Sequence, residues 1–331
     1  MRFVVFGAGG IGGVVGARLA QHGHDVALIA RGTHLDAIRA HGLTVEDPAG
    51  STVLDLPVAK SPAALGITGD DVVLLAMKSQ DTASAVRDLA DAAPSSTPVF
   101  CFQNGVENER VALRLFPRTY GCAVLCPTGF LRPGVVQAYS APTTGVFDVG
   151  RYPSGSDDVA ATVASAIDSS AMKSVPRDDI MRWKYRKLVT NLGNAIEAVC
   201  GPSTRGGDLT EFVTAEAEAV LDAAGIERAT VAEDVERRAD HLSIHRVGGE
   251  RRQGGSSWQS LQRGVGAIET DYLNGEIVML GRLHGVATPA NETLLRLANE
   301  LAATRRPPGS YDESDVLGMI AQQKTSSGSA A

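Results

Sequence analysis

Gly7, Gly9 and Gly12 stand at a spacing that answers three separate steric demands of a strand-to-helix turn. Gly7 permits the tight turn, Gly9 lets backbone approach a pyrophosphate, and Gly12 lets the helix pack close to the strand. With their neighbours they form the run Gly7-Ala8-Gly9-Gly10-Ile11-Gly12, after the apolar strand Phe3 to Phe6 and before an Ala-containing helix reaching roughly His22. The first turn of that helix offers unpaired N–H groups and a positive dipole end to an anion. Context carries this reading more than spacing does, because a chain with 36 glycines repeats such spacings in ordinary loops. Gly7, Gly9, Gly10, Ile11 and Gly12 are therefore expected to hold a dinucleotide.

A second strand, Asp25 to Ala30, ends where an NAD site usually places an Asp or Glu for the ribose 2′-hydroxyl. Arg31 stands there instead. A guanidinium binds a 2′-phosphate through charge-assisted hydrogen bonds, whereas a carboxylate repels it. NADP(H) is thus expected over NAD(H), the plainer alternative being a solvated residue at a strand end.

At 331 residues the chain exceeds a comfortable single core, which favours two domains. With 44% apolar and 21% charged residues it reads as a soluble globular protein. No apolar run is long enough to span a bilayer and the glycine turn starts too early for a cleavable signal peptide, so a cytoplasmic location is expected. A net charge of −7 without a long basic stripe argues against nucleic acid as the main partner. Cys101, Cys122, Cys126 and Cys200 lack zinc-like spacing and read as small buried hydrophobes, and no metal is expected.

Strands and helices alternate through the first half. Asp71 to Ala76 is a continuous apolar run, as in a parallel sheet covered on both faces. Helices are expected at 82–91 and 107–115, strands at 98–102 and 120–125, and antiparallel edge strands at 135–139 and 144–149. A helix at 157–169 and a short strand at 172–175 precede a break at Pro176. Later periodicity is helical, at 178–199, 209–224, 229–243, 257–284 and 289–304, with Ser256-Ser257 and Thr288-Pro289 as helix starts. The fold class is α/β: a Rossmann-type doubly wound sheet (residues 1–176), a mostly α-helical domain (177–305) and a partly disordered tail (306–331). A homodimer is compatible with the long helix expected at 257–284.

Catalytic groups are expected at carboxyl ends of strands and in the helical domain. Lys78, and Asn104 in Gln103-Asn104-Gly105, occupy such ends, although a solvent-facing lysine and a turn asparagine are the plainer readings. Lys187, Asn191 and Asn194 share one face of an otherwise apolar helix, and a buried lysine with two amides needs partners or a ligand. Taken alone, Lys187 reads more readily as a helix-surface cation. Ser257, and the segment Glu269-Thr270-Asp271-Tyr272-Leu273-Asn274-Gly275, gain meaning only in combination.

Taken together, the glycine turn, Arg31, Lys78, Asn104, Lys187-Leu-x-x-Asn191, Ser257 and Glu269 with Asp271 to Gly275 resemble the ketopantoate reductase (2-dehydropantoate 2-reductase) family over about residues 1–305. That resemblance implies NADPH-dependent reduction of a 2-oxo acid, in pantothenate biosynthesis. It implies Lys187 as proton donor, with Glu269 beside it in the catalytic set. It also implies that Asn191, Ser257 and Glu269 hold substrate, and that Lys78 and Asn104 lie by the cofactor or the substrate carboxylate; Asn194 joins the expected substrate set from its place on the same helix face. Two departures stand out: Ala195 where the family's second amide usually sits, with asparagine at 194, and Trp258-Gln259-Ser260-Leu261 after the serine. Reduction of ketopantoate, or a similar acid, is the leading expectation, and these departures keep a different 2-oxo acid as the alternative substrate. A 3-hydroxyacid dehydrogenase and a non-catalytic NADP(H) sensor are the competing readings.

Overall fold

The structure is a computed structural model describing residues 1–239 and 241–328. It forms two compact units, the first comprising Met1–Lys184 with Ala229–Arg252, the second Tyr185–Arg228 with the chain from Gln253 onward.

The first half of the chain runs β1 (Arg2–Phe6), α1 (Gly10–Gln21), β2 (Asp25–Ile29), α2 (Gly32–His41), β3 (Leu43–Asp47), β4 (Gly50–Leu54), β5 (Val58–Ala59), β6 (Val72–Leu75), α3 (Thr82–Ala90), β7 (Val99–Cys101), α4 (Asn108–Leu113), β8 (Thr119–Leu125), β9 (Thr128–Arg132), β10 (Val135–Ala138), β11 (Val146–Arg151) and α5 (Asp158–Asp168). The main sheet has the order β11-β8-β7-β6-β1-β2-β5. Six of its strands are parallel, and β11 closes one edge antiparallel to β8. Chain order reverses between β1 and β6, where a doubly wound sheet opens its ligand crevice at the carboxyl ends.

The unbroken apolar strands follow from coverage on both faces. Phe3 and Val5 join α1 residues Val14 and Leu19 in one buried cluster, while Val4 and Phe6 join Val86, Leu89 and Ala112 of α3 and α4 in another. Alternate side chains of one strand thus feed two cores.

Several expectations are corrected. Residues 135–139 do not form an edge of the main sheet: β10 lies in a second sheet, β4-β3-β10-β9, parallel to β3 and antiparallel to β9. Residues 172–176 run along β11 but pair with it only through isolated bridges, Lys173 to Val146 and Pro176 to Val149, because between them the Val175 N–H donates to Asp148 Oδ1 at 3.1 Å and Ser174 Oγ donates to the Phe147 carbonyl at 2.6 Å in place of a ladder bond. The segment 229–252, read from sequence with the later helices, belongs to the first unit and includes α9, Val231–Ala239, as numbered below. Its Arg237 pairs with buried Asp148 at 2.6 Å, and the His245 N–H donates to the Tyr139 carbonyl at 2.8 Å.

The later helices are α6 (Ile180–Asn191), α7 (Gly193–Cys200), α8 (Asp208–Ala223), α9 (Val231–Ala239), α10 (Ser256–Gln262), α11 (Asn274–His284), α12 (Pro289–Ala303) and α13 (Glu313–Gly328). The helix expected at 178–199 is two helices, broken at Leu192, and the divide between the units falls within α6 rather than at Pro176. The helix expected at 257–284 is also interrupted, because Gly264 and Gly266 adopt φ of +61° and +75° between α10 and a 3-10 turn at Glu269–Tyr272. At α12, Thr288 is the N-cap and Pro289 the first helical residue, but Glu216 accepts the Ala290 and Asn291 N–H groups at 2.8 and 2.9 Å. In the expected tail, α13 buries Val316 and Ile320, and its helical span runs through the segment from Lys324 that was expected to be disordered. Residues 329–331 lie outside the described residues.

Candidate active site

In the first unit, the glycine turn follows β1 directly. Gly7 has φ of +106°, and a Cβ there would sit 2.6 Å from the Met77 nitrogen. A Cβ on Gly12 would meet the Gly7 carbonyl oxygen at 2.1 Å and the Ala76 Cβ at 2.8 Å. Both glycines are therefore demanded by the protein's own packing. Gly9 differs: a Cβ there would meet only the Phe130 ring, at ordinary contact distance of 3.7 Å. Its lack of a side chain leaves room above the turn, as close approach of a diphosphate requires. Gly10 and Ile11 begin α1, whose first turn carries no acidic residue, so its positive end is unopposed.

Arg31 stands two residues past the end of β2, as the N-cap of α2. Its guanidinium lies 3.1 Å from the Asp88 carboxylate and 5.9 Å from the centre of the Phe6 ring, and its side chain is 55% exposed. An exposed pair of this kind contributes only about 0–1 kcal/mol, so Asp88 holds the guanidinium weakly.

Lys78 and Asn104, both half-buried, follow β6 and β7. A hydrogen-bonded network ties their backbones together. Gln103 Nε2 donates to the Met77 carbonyl at 3.0 Å and to Thr82 Oγ1 at 2.7 Å, and Asn108 Nδ2 donates to the Asn104 carbonyl at 2.9 Å and to Ser79 Oγ at 3.1 Å. Beneath it lies a buried ion pair of Lys184 and Glu109, with Lys184 Nζ also donating to the Gln103 carbonyl at 3.0 Å. Burial pushes the Glu109 carboxyl up, against the pull of Lys184. Sequence reasoning missed Gln103, Asn108, Glu109 and Lys184; a lysine three residues before Lys187 on one helix was the visible signal.

In the second unit, Lys187 is half-buried and Asn191, one turn on in α6, is 4% exposed. Asn194 lies beyond the break, on α7, so the single helix face expected for these three side chains is built from two helices. Glu197, also on α7, accepts the Gly255 N–H at 2.6 Å and pairs with Arg205 at 2.7 Å. Gly255 is the N-cap of α10, so Glu197 fixes the start of the helix that carries Ser257. An ideal Cβ on Gly255 would lie 3.0 Å from Asn194 Oδ1. Ser257 is fully buried and its hydroxyl has no hydrogen-bond partner. Such a group costs about 1–3 kcal/mol unless a ligand completes it. Glu269, 2% exposed, sits in the 3-10 turn packed on α11 and α12. The Trp258 ring folds against Gly254, whose Cβ position is 2.7 Å from its Cγ.

The thiols offer no nucleophile. Burial pushes Cys101 and Cys122 well up, and Cys126 and Cys200 to about 12. Among the described residues no group of His, Cys, Asp or Glu is arranged to hold a metal ion, and no helix is long and apolar enough to cross a membrane.

Two family models match: "Ketopantoate reductase PanE/ApbA" over residues 3–154, and its C-terminal counterpart over 179–302. The 2-dehydropantoate 2-reductase of Halobacterium salinarum is 31% identical over 313 residues, covering 90% of this chain and 97% of that protein. That of Pyrococcus horikoshii is 28% identical over 302 residues, covering 90% and 96%. A PanE/ApbA family ketopantoate reductase of Ralstonia eutropha, solved by crystallography, superposes with a TM-score of 0.76 at 29% identity, covering 92% of this chain and all of that one. A D-mandelate dehydrogenase solved with NADH and anilino(oxo)acetate superposes at 0.79 with 23% identity, covering 92% and 99%, a likeness of fold. The glycine turn at the switch point, the buried polar set around α6, α7 and α10, and matches spanning both regions agree: the chain is an oxidoreductase and belongs to the ketopantoate reductase family.

Proposed function

We propose that the protein reduces 2-dehydropantoate, or a closely related 2-oxo acid, to the 2-hydroxy acid with NADPH. The observation that carries this reading is the buried polar set of the second unit: Asn191, Asn194, Ser257 and Glu269, with half-buried Lys187 one turn before Asn191. Within this set the fully buried Ser257 hydroxyl has no hydrogen-bond partner, a cost that a polar acid bound among these groups would remove. Bound NADPH supplies the hydride. As the substrate's C2 receives it and the carbonyl π pair moves to oxygen, Lys187 Nζ stabilises the developing charge and gives that oxygen its proton. Ser257, Asn191 and Asn194 orient the acid by hydrogen bonding, and Glu269 holds it in the same set. Lys78 and Asn104, braced by Gln103 and Asn108, are assigned to the cofactor in the first unit.

Family membership supports a nicotinamide dinucleotide, and Arg31 supports the 2′-phosphorylated form. Arg31→Ala is expected to raise the Kd for NADPH by about 10-fold or more, from loss of charge-assisted bonds worth roughly 1.5–3 kcal/mol, and to leave NADH unchanged. Titration of wild type and variant with both dinucleotides checks this. Equal affinity of the wild type for the two would remove Arg31 from the role. A cytoplasmic location and a place in pantothenate biosynthesis belong to the same proposal.

Trp258 favours a second reading, in which the acid differs from ketopantoate, because its indole occupies the first turn of α10 next to Ser257. The deciding experiment follows NADPH oxidation with a panel of 2-oxo acids. Highest kcat/KM for ketopantoate supports the first reading, preference for another 2-oxo acid supports the second, and no turnover with any of them rejects both.

A further inference from the structure

We propose that His34 is a positioning residue for the dinucleotide turn: its imidazole grips the Ala8 carbonyl on one side and the Gly134 amide on the other, and so aims the Gly9 N–H at the cofactor's diphosphate. The inference rests on the reading of the first unit as the cofactor site.

His34 lies in the first turn of α2 and is 8% exposed. Its Nε2 is 2.7 Å from the Ala8 carbonyl oxygen, and the Gly134 N–H lies 2.8 Å from its Nδ1. A backbone N–H only donates, so Nδ1 carries the lone pair and Nε2 carries the hydrogen given to Ala8. The two partners therefore select one neutral tautomer. Burial also holds the imidazole below its ordinary range, which favours that uncharged state.

The consequence for the turn follows from peptide geometry. The Ala8 carbonyl and the Gly9 N–H belong to one planar trans unit and point in opposite directions. Fixing the oxygen at His34 fixes the direction of the N–H. The preceding peptide is pinned as well, since the Gly7 and Ala8 N–H groups donate to the Ile29 carbonyl at 3.0 and 3.2 Å. Gly9 is the glycine whose backbone is left open to a diphosphate, so its N–H is the one that gains from being aimed in advance.

The brace reaches the second sheet. Gly134 stands in the turn between β9 and β10 at φ of +78°, and a Cβ there would meet the Ala37 Cβ of α2 at 2.9 Å. The Phe130 ring of β9 lies 4.6 Å from the imidazole, centre to centre, and borders the open space above Gly9. His34 thus joins α2, the β9–β10 turn and the glycine turn at one point.

Two substitutions separate its two bonds. Asparagine keeps an acceptor near the position of Nδ1 but loses the donor to Ala8, whereas glutamine keeps a donor near the position of Nε2 but loses the acceptor for Gly134. His34→Asn is expected to weaken NADPH binding about 10-fold, as for one lost hydrogen bond, while leaving adenosine 2′-monophosphate, which has no diphosphate, bound as by the wild type. His34→Gln is expected to keep NADPH affinity within a few-fold while losing thermal stability. If both variants lose stability and both bind NADPH as the wild type does, the brace is overturned and the residue is merely structural. A wild type that binds no dinucleotide at all overturns the cofactor reading, and the brace with it. If His34→Asn does not fold, ¹⁵N imidazole spectra of the wild-type chain decide: an Nε2–H tautomer whose signal moves on adding NADPH supports the brace, and an Nδ1–H tautomer or a signal indifferent to NADPH overturns it.

Discussion

Lys187→Ala is expected to lower kcat for the 2-oxo acid by about 10²- to 10⁴-fold, the span that a positioned general acid contributes. The Kd for NADPH is expected to stay within a few-fold of wild type, because the proposed cofactor residues, the glycine turn and Arg31, lie in the other unit. Hydride addition leaves negative charge on an oxygen, and on the proposed assignment removing the Lys187 ammonium takes away the cation that would stabilise it. Lys187→Arg retains charge but not a transferable proton at ordinary pH, so it is expected to stay slow. Steady-state assays with direct cofactor titration test both. A kcat unchanged in Lys187→Ala would end the assignment, and parallel loss of NADPH binding would point to misfolding.

The largest effect on stability is expected three residues earlier. Lys184→Met leaves Glu109 buried without its counter-charge, and breaking such a pair from one side costs about 3–5 kcal/mol. For a unit of this size that corresponds to a fall in Tm on the order of 10 °C. The sign of the pH dependence follows from Glu109. Burial raises its folded-state pKa, more so without Lys184, so the folded state binds the extra proton. Stability of Lys184→Met is therefore greatest in acid and is lost as pH rises through the folded-state titration of Glu109. The double variant Lys184→Met/Glu109→Leu is expected to recover most of the loss, because neither charge then remains in the core. Thermal melts of single and double variants across pH check this, and a double variant no better than the single one would contradict it.

The contrast between these two lysines shows what sequence could and could not reveal. Trp183-Lys184-Tyr185-Arg186-Lys187 contains both, and helical spacing ranks neither above the other. Lys184 is distinguished by Glu109 and the Gln103 carbonyl, partners more than seventy residues away in sequence. The glycine turn was legible because its demands are local: strand, turn and helix occupy consecutive residues, and both Gly7 and Gly12 prove sterically obligatory. The β10 strand was recognisable as a strand but not by its sheet, since its partner β3 lies some ninety residues back. The interruption of the 257–284 helix was written in Gly264 and Gly266 and yielded to the longer apolar pattern on either side, whereas the break at Leu192 has only Gly193 to announce it. His34 was invisible for the same reason as Lys184, its acceptor role being set by Gly134, a hundred residues on.

The first unit is assembled from two separated stretches of chain, and that has a consequence for its synthesis. Domains tend to fold as they leave the ribosome, the N-terminal part first. Here the main sheet is complete in sequence by Arg151, yet Asp148 on its last strand waits for Arg237. Until that residue emerges, Asp148 has Arg177 as its counter-ion. Segment 185–228 of the second unit is translated in the interval. The sheet therefore forms early and locks late, and a nascent chain halted between the two stretches would carry a formed sheet whose edge strand is still short of one cation.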